Sequence, residues 1–170
     1  MTIRPATEAD APRLAELHAS RISEGFLPTL GPAFLRRLYR RIVLTPGAFV
    51  YVAATTPPGV PEPGGAPDGG AVLGFAAAAL DLRALYRTFL LRDGLAAAIA
   101  AAPRLQSSWR RVVETLRYPD AGEDVPKAEI LAVAVDASAG GRGLGSQLVD
   151  ATTAELERRG VHAAKVVTSS

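Results

Sequence analysis

Two hydrophobic periods alternate along this chain. Leu14, Leu17 and His18 recur at helical spacing behind the capping stretch Thr7-Glu8-Ala9-Asp10, and Pro12 suits a first helical turn, so a helix is predicted to about Ile22. Gly25-Phe26-Leu27-Pro28 breaks it. From Pro32 onward Phe34, Leu35, Leu38, Tyr39 and Ile42 share one face, with Arg36, Arg37, Arg40 and Arg41 on the other, which predicts a second amphipathic helix. Short runs at Ile3–Ala6, Phe49–Ala54, the alanine-rich Ala71–Leu80, Ala128–Val135 and Ala163–Thr168 read as strands. Arg83 to Arg117 is helical in composition, with a break expected at Pro103. A last helix is expected from Leu144 to Arg159, stopped by Gly160. The resulting order, β-α-α-β-β-(inserted helices)-β-α-β, defines a mixed α/β fold with both hairpin and crossover connections. A single domain over residues 1–170 is expected, with the Pro/Gly tract Thr56–Gly70 as a flexible loop inside it.

Composition narrows the chemistry. Hydrophobic residues make up 48% and charged residues 21%, which is the balance of a globular protein and not of a disordered chain. The formal charge of +2 is too small to argue for nucleic acid, and the arginines of the predicted insertion have few aromatics among them, Tyr86, Phe89 and Trp109. With no cysteine, disulfides, thiolate nucleophiles and Cys-built metal sites are excluded. His18 and His162 are the only histidines, so no metal centre is expected. The opening Met1-Thr2-Ile3-Arg4-Pro5 does not read as a signal peptide, and no apolar run approaches the ~20 residues of a membrane span. A cytoplasmic location is the expectation.

The densest chemical signal lies at residues 128–148. An Ile/Val-rich strand runs into Gly140-Gly141-Arg142-Gly143-Leu144-Gly145-Ser146 and then into a helix. The first N–H groups of a helix have no intrahelical partner, and its dipole adds roughly half a positive charge there. Glycines let a bulky anion approach that backbone, so phosphates are expected on Gly141–Ser146. A P-loop requires Lys-Ser/Thr after its second glycine. Gly140 and Gly145 have the spacing, but Ser146-Gln147 follows. A dinucleotide fingerprint requires an acid at the end of the next strand, where this chain has Val166-Val167-Thr168-Ser169-Ser170.

Gly143-Leu144-Gly145 with Arg142 before it, directly after a strand, resembles motif A of the GNAT superfamily of acyl-CoA-dependent N-acetyltransferases, Gln/Arg-x-x-Gly-x-Gly/Ala. Glu129 stands fourteen residues before the first motif glycine (143 − 129 = 14), where several members of that family carry a Glu. The opening Ile3-Arg4-Pro5-Ala6-Thr7-Glu8-Ala9-Asp10 is also similar to the usual start of these proteins. The motif departs at its first position, which is Gly140, so only backbone is offered there. The family continues past its fifth strand with a helix, often bearing a Tyr acid, and further strands. The sequence stops at Ser170, before these elements; a truncated sequence is the favoured expectation, with elements supplied by another chain or absent from the protein as the alternatives. Residues 83–118 form a helical insertion where the family has a short turn between its third and fourth strands.

The resemblance implies an N-acetyltransferase in which a primary amine of a small molecule or peptide attacks the thioester of acetyl-CoA directly. Glu129 is implied as base, with the Val133 N–H polarising the thioester carbonyl. Val133, Ala134 and Val135 would line the pantetheine arm, and Gly140, Gly141, Arg142, Gly143, Leu144, Gly145 and Ser146 the pyrophosphate. A salt-bridged strand Glu is the competing reading of Glu129. His162, His18, Ser169 and Ser170 are weaker candidates, and the Arg36/Arg37/Arg40/Arg41 face reads as solvated. Leu85, Phe89, Leu90, Leu95, Ile99, Leu105, Trp109, Val112, Val113 and Leu116 suit a lid over the acceptor, a homodimer interface, or helices packed on the domain's own core. Two rival functions remain: a non-catalytic acyl-CoA sensor of the same fold, and a dinucleotide-binding oxidoreductase domain.

Overall fold

The computed structural model describes residues 1–22, 27–55, 70–105 and 126–166, with side chains described to residue 97 in the third of these segments. The strands are β1 (Thr2–Pro5), β2 (Ala48–Ala54), β3 (Val72–Ala79), β4 (Glu129–Val135) and β5 (Lys165–Val166). The α-helices are α1 (Ala11–Arg21), α2 (Pro32–Leu44), α3 (Leu82–Leu105) and α4 (Leu144–Arg158). The strands lie in one sheet in sequence order, antiparallel from β1 through β4 and parallel between β4 and β5. The expected tract 56–69, the end of the insertion and Ser169 and Ser170 lie outside the described residues.

Side-chain alternation puts a different helix layer on each face of the sheet. On one face Val50, Val52, Phe75, Ala77 and Ala79 share a core with Leu14, Leu17, Leu35, Leu38 and Tyr39 of α1 and α2. On the other, Phe49, Ala53, Ala76 and Ala78 pack beneath Leu144, Leu148 and Leu156 of α4. β3 is central, and Ala76 to Ala79 are fully buried. Its alanines let helices pack close on both faces, and Gly74 goes further: a Cβ there would stand 3.0 Å from the Ala134 carbonyl oxygen.

The link from β1 to α1 is tied by Asp10, buried at 4% exposure. It accepts from Arg4 Nη1 at 2.9 Å and Nη2 at 3.0 Å, and from the Thr7 amide at 2.8 Å. Burial pushes its carboxyl up, but the bonds from Arg4 and Thr7 outweigh that and hold it below the usual aspartate value.

The insertion begins as α3, which runs unbroken through Pro103 to Leu105, so the expected break is absent. A proline removes one backbone donor and leaves the turns before it intact. Leu82, Leu85, Phe89 and Ala97 join the core of α1 and α2, with Phe34 edge-on to Phe89 at 5.4 Å. Arg41 of α2 pairs with Asp93 at 2.6 Å. Of the readings open for the insertion, this stretch takes packing on the protein's own core. Leu90, Leu91 and Leu95 face outward. Among the described residues no helix is long and apolar enough to cross a membrane.

Candidate active site

A β-bulge organises the site. β3 and β4 pair Ala77 with Ala132 but Ala78 with Ile130, so Leu131 is an extra residue in β4. Consecutive Leu131 and Ala132 both pack toward α1 and α2, while Ile130 and Val133 pack under α4. The bulge also sets the phase of the backbone. Asp136 donates to the Leu73 carbonyl at 2.7 Å, and an antiparallel strand bonds its neighbour through alternate residues. Ala134 and Ala132 therefore continue the bonding to β3. Val133 and Val135 turn their N–H and C=O groups to the opposite edge, the side on which β5 lies. Without the extra residue, Ala132 and Ala134 would have pointed there.

That geometry separates the residues proposed for the pantetheine arm. Val133 and Val135 present edge groups. Ala134 bonds into β3 and buries its methyl group in the core, so it has no polar group to offer a ligand at that edge.

Beyond Val135, Asp136 caps the short turn Ala137–Ala139, accepting from the Ser138 amide at 2.9 Å and hydroxyl at 2.7 Å. Arg13 Nη2 of α1 reaches its other oxygen at 2.6 Å. The Ser138 hydroxyl and amide, then Arg13, hold the Asp136 carboxyl down at about 2. The glycine turn follows, and Gly140, Gly141, Arg142, Gly143 and Ser146 are all exposed. Gly141 and Gly143 have φ of 73° and 70°, a left-handed conformation that side chains resist. Gly143 precedes α4 without any side-chain cap, and the first intrahelical bond runs from Gln147 to the Gly143 carbonyl. The amides of Leu144, Gly145 and Ser146 thus have no intrahelical acceptor. No acidic side chain occupies the first turn of α4. The Leu144 side chain is buried beneath the sheet, so this residue can contribute backbone only. An uncapped helix start with open space over its glycines fits a diphosphate.

Glu129 lies at the start of β4, 6% exposed. Lys165 stands directly opposite in the β4–β5 register and puts its Nζ 3.0 Å from Glu129 Oε2. Partners in register share a face, and Ala79 across from Glu129 belongs to the α1–α2 core, so the pair lies on that face. This is the salt-bridged arrangement that the sequence left open as the competing reading of Glu129, and among the described residues the buried Oε2 accepts no other hydrogen bond. Sequence reasoning missed Lys165. The available signal was composition, since Lys127 and Lys165 are the only lysines among many arginines.

The remaining candidates lie apart from this cluster. His18 is buried on α1 with Nδ1 2.6 Å from the Tyr39 hydroxyl, and burial pushes its imidazole below the usual value. His162 is exposed after Gly160. On the arginine face, Arg40 pairs with Glu8 at 2.8 Å.

A mixed sheet whose bulged fourth strand feeds a glycine turn and an uncapped helix defines an acyl-CoA-type transferase fold. Residues 35–170 match the profile of the Acetyltransferase (GNAT) family, and the chain belongs to that family. No curated protein sequence matches it. Among solved structures it is similar to the aminoglycoside antibiotic 6'-N-acetyltransferase AAC(6')-IG from Acinetobacter haemolyticus, with 12% identity, 99% of this chain and 80% of that one covered, and a TM-score of 0.58. It is also similar to AAC(6')-Iy in complex with the bisubstrate analogue CoA-S-monomethyl-acetylneamine, with 14% identity, coverage of 99% and 79%, and a TM-score of 0.56. A third likeness is to the BH1408 protein of Bacillus halodurans, a tetramutant, with 14% identity, coverage of 99% and 83%, and a TM-score of 0.55.

Proposed function

We propose that this chain moves an acetyl group from acetyl-CoA to the primary amine of a small molecule or peptide by direct attack. The observation that carries this reading is Glu129. Its buried Oε2, paired with Lys165 Nζ at 3.0 Å, belongs to the strand whose outward edge also bears the Val133 and Val135 amides. The Lys165 ammonium 3.0 Å from Oε2 marks this carboxylate as one that can hold an amine on the α1–α2 face, and an acceptor amine takes that place.

The amides of the exposed Gly141, Gly143 and Ser146 and of the half-buried Gly145 hold the pyrophosphate, with the exposed Arg142 guanidinium beside them. Val135 pairs with an amide of the pantetheine arm in the manner of an added strand. The Val133 N–H donates to the thioester oxygen, where negative charge grows during attack. Glu129 accepts the proton that the acceptor ammonium loses to become the attacking neutral amine. A small-molecule amine is favoured as acceptor by the likeness to the two aminoglycoside N-acetyltransferases.

Glu129→Gln tests the assignment. Turnover is expected to fall about 100-fold, a typical worth of general acid–base catalysis, with acetyl-CoA affinity by calorimetry nearly unchanged. An unaltered pH–rate profile would remove Glu129 from the role of base. A free-thiol assay over a panel of amines separates the enzyme from a non-catalytic acyl-CoA sensor, which binds acetyl-CoA and releases nothing. Thermal stabilisation by NAD(P) but not by CoA would reject both in favour of a dinucleotide site.

A further inference from the structure

The Lys165 Nζ is itself a primary ammonium held 3.0 Å from the carboxylate assigned as base. We propose that Lys165 is a self-acetylation site: in the absence of an external acceptor, the enzyme acetylates this side chain in cis. The inference rests on the Glu129 and acetyl-CoA assignments made above.

Chemistry and placement both point to it. Arginine supplies nearly all the positive charge of the sequence and stays protonated, whereas a lysine ammonium can lose its proton to a base and become a nucleophile. One of the two lysines sits on the base. The other, Lys127, is exposed just outside β4. The Lys165 side chain is a quarter exposed and lies on the α1–α2 face, opposite the layer formed by α4. Along β4, the bulge reduces the separation from Glu129 to Val133 to about three strand steps, roughly 10 Å at about 3.3 Å each. A lysine stem of four methylenes covers more than half of that distance toward a carbonyl seated at the Val133 N–H.

The step balances without any further reactant. Glu129 takes one proton from the Lys165 ammonium, and the neutral amine attacks the thioester carbonyl carbon. The N–C bond forms and the C–S bond breaks. The electron pair leaves on sulfur, which takes the second nitrogen proton and departs as the thiol, while Glu129 returns its proton to water. The amide product carries no charge, so the Glu129 carboxylate is then free to receive the ammonium of an external acceptor.

The test uses the full chain and acetyl-CoA labelled in the acetyl group, with no amine added. Mass-spectrometric mapping is expected to place the label on Lys165 at least tenfold faster than on Lys127 or the Met1 amine. The rate constant should not change on tenfold dilution of the protein. Lys165→Arg should abolish that label, and Glu129→Gln should slow it at least tenfold while acetyl-CoA still binds. Bound acetyl-CoA with no label on Lys165, or with label spread evenly over all three amines, overturns the inference and leaves the proposed function standing. So does a rate proportional to protein concentration. Failure to bind acetyl-CoA at all overturns the proposed function, and the inference falls with it.

Discussion

Arg13 Nη2 on α1 lies 2.6 Å from Asp136 Oδ2 at the end of β4, tying the helix layer on one face of the sheet to the root of the glycine turn. Arg13 also donates to the Val72 carbonyl at 3.1 Å, so it braces β3 and β4 together where the chain leaves the sheet. Because the folded carboxyl is held at about 2, below its ordinary 3.8, the stability it supplies is complete above that ordinary value. It is lost as pH falls toward the folded value. Urea melts should show wild type losing stability between about pH 4 and 2 more steeply than Asp136→Asn. The two curves should converge at the acid end.

The His18–Tyr39 pair predicts a second pH dependence of the same sign at higher pH. Burial lowers the His18 imidazole from 6.5, so the unfolded chain binds its proton first. Stability is complete above 6.5 and falls as pH drops below it toward the folded value. In melts between pH 8 and 5, His18→Gln should flatten this decline. Tyr39→Phe removes the hydroxyl 2.6 Å from Nδ1 and should cost about 1–3 kcal/mol, the usual penalty for a buried polar atom left alone.

The glycine turn predicts a split between two glycines. Gly143 has φ of 70°, so Gly143→Ala should cost about 1–2 kcal/mol in strain and raise the KM for acetyl-CoA several-fold in a thiol-release assay. Gly47 has no positive φ and open space where a Cβ would go. Gly47→Ala should leave both stability and KM close to wild type.

The alanines of β3 predict intolerance to size. Ala77 is fully buried in the core shared with α1 and α2, so Ala77→Leu should cost about 1–3 kcal/mol in a chemical melt through overpacking. Restored wild-type stability would mean that the helix layer can shift to make room.

Much of the fold was legible because its signals are local. The face of Leu35, Leu38, Tyr39 and Ile42, the Pro32 start and the Gly160 stop each depend on a few neighbouring residues, and the helices lie where those residues predict. The helix continues through Pro103 because one lost backbone hydrogen bond does not undo the continuity of the turns before it. The direction of Ala134 was not legible. Nothing in Ile130-Leu131-Ala132-Val133 marks a bulge, and one extra residue reverses which amides reach the edge.

The sequence by itself determined the segment proposed for the acyl donor. A strand, a glycine turn and a helix start are contiguous in the chain, and the groups they expose at the turn are mostly backbone, so residues 128–148 carry that pattern complete. Only the tertiary structure decided what surrounds Glu129. Lys165 is far from it along the chain and meets it because β5 pairs with β4 in parallel, after α4 has crossed the sheet. Parallel register is set by how α4 packs on Ala53, Ala76 and the bulged β4, and such long-range packing leaves no trace in a local pattern of residues.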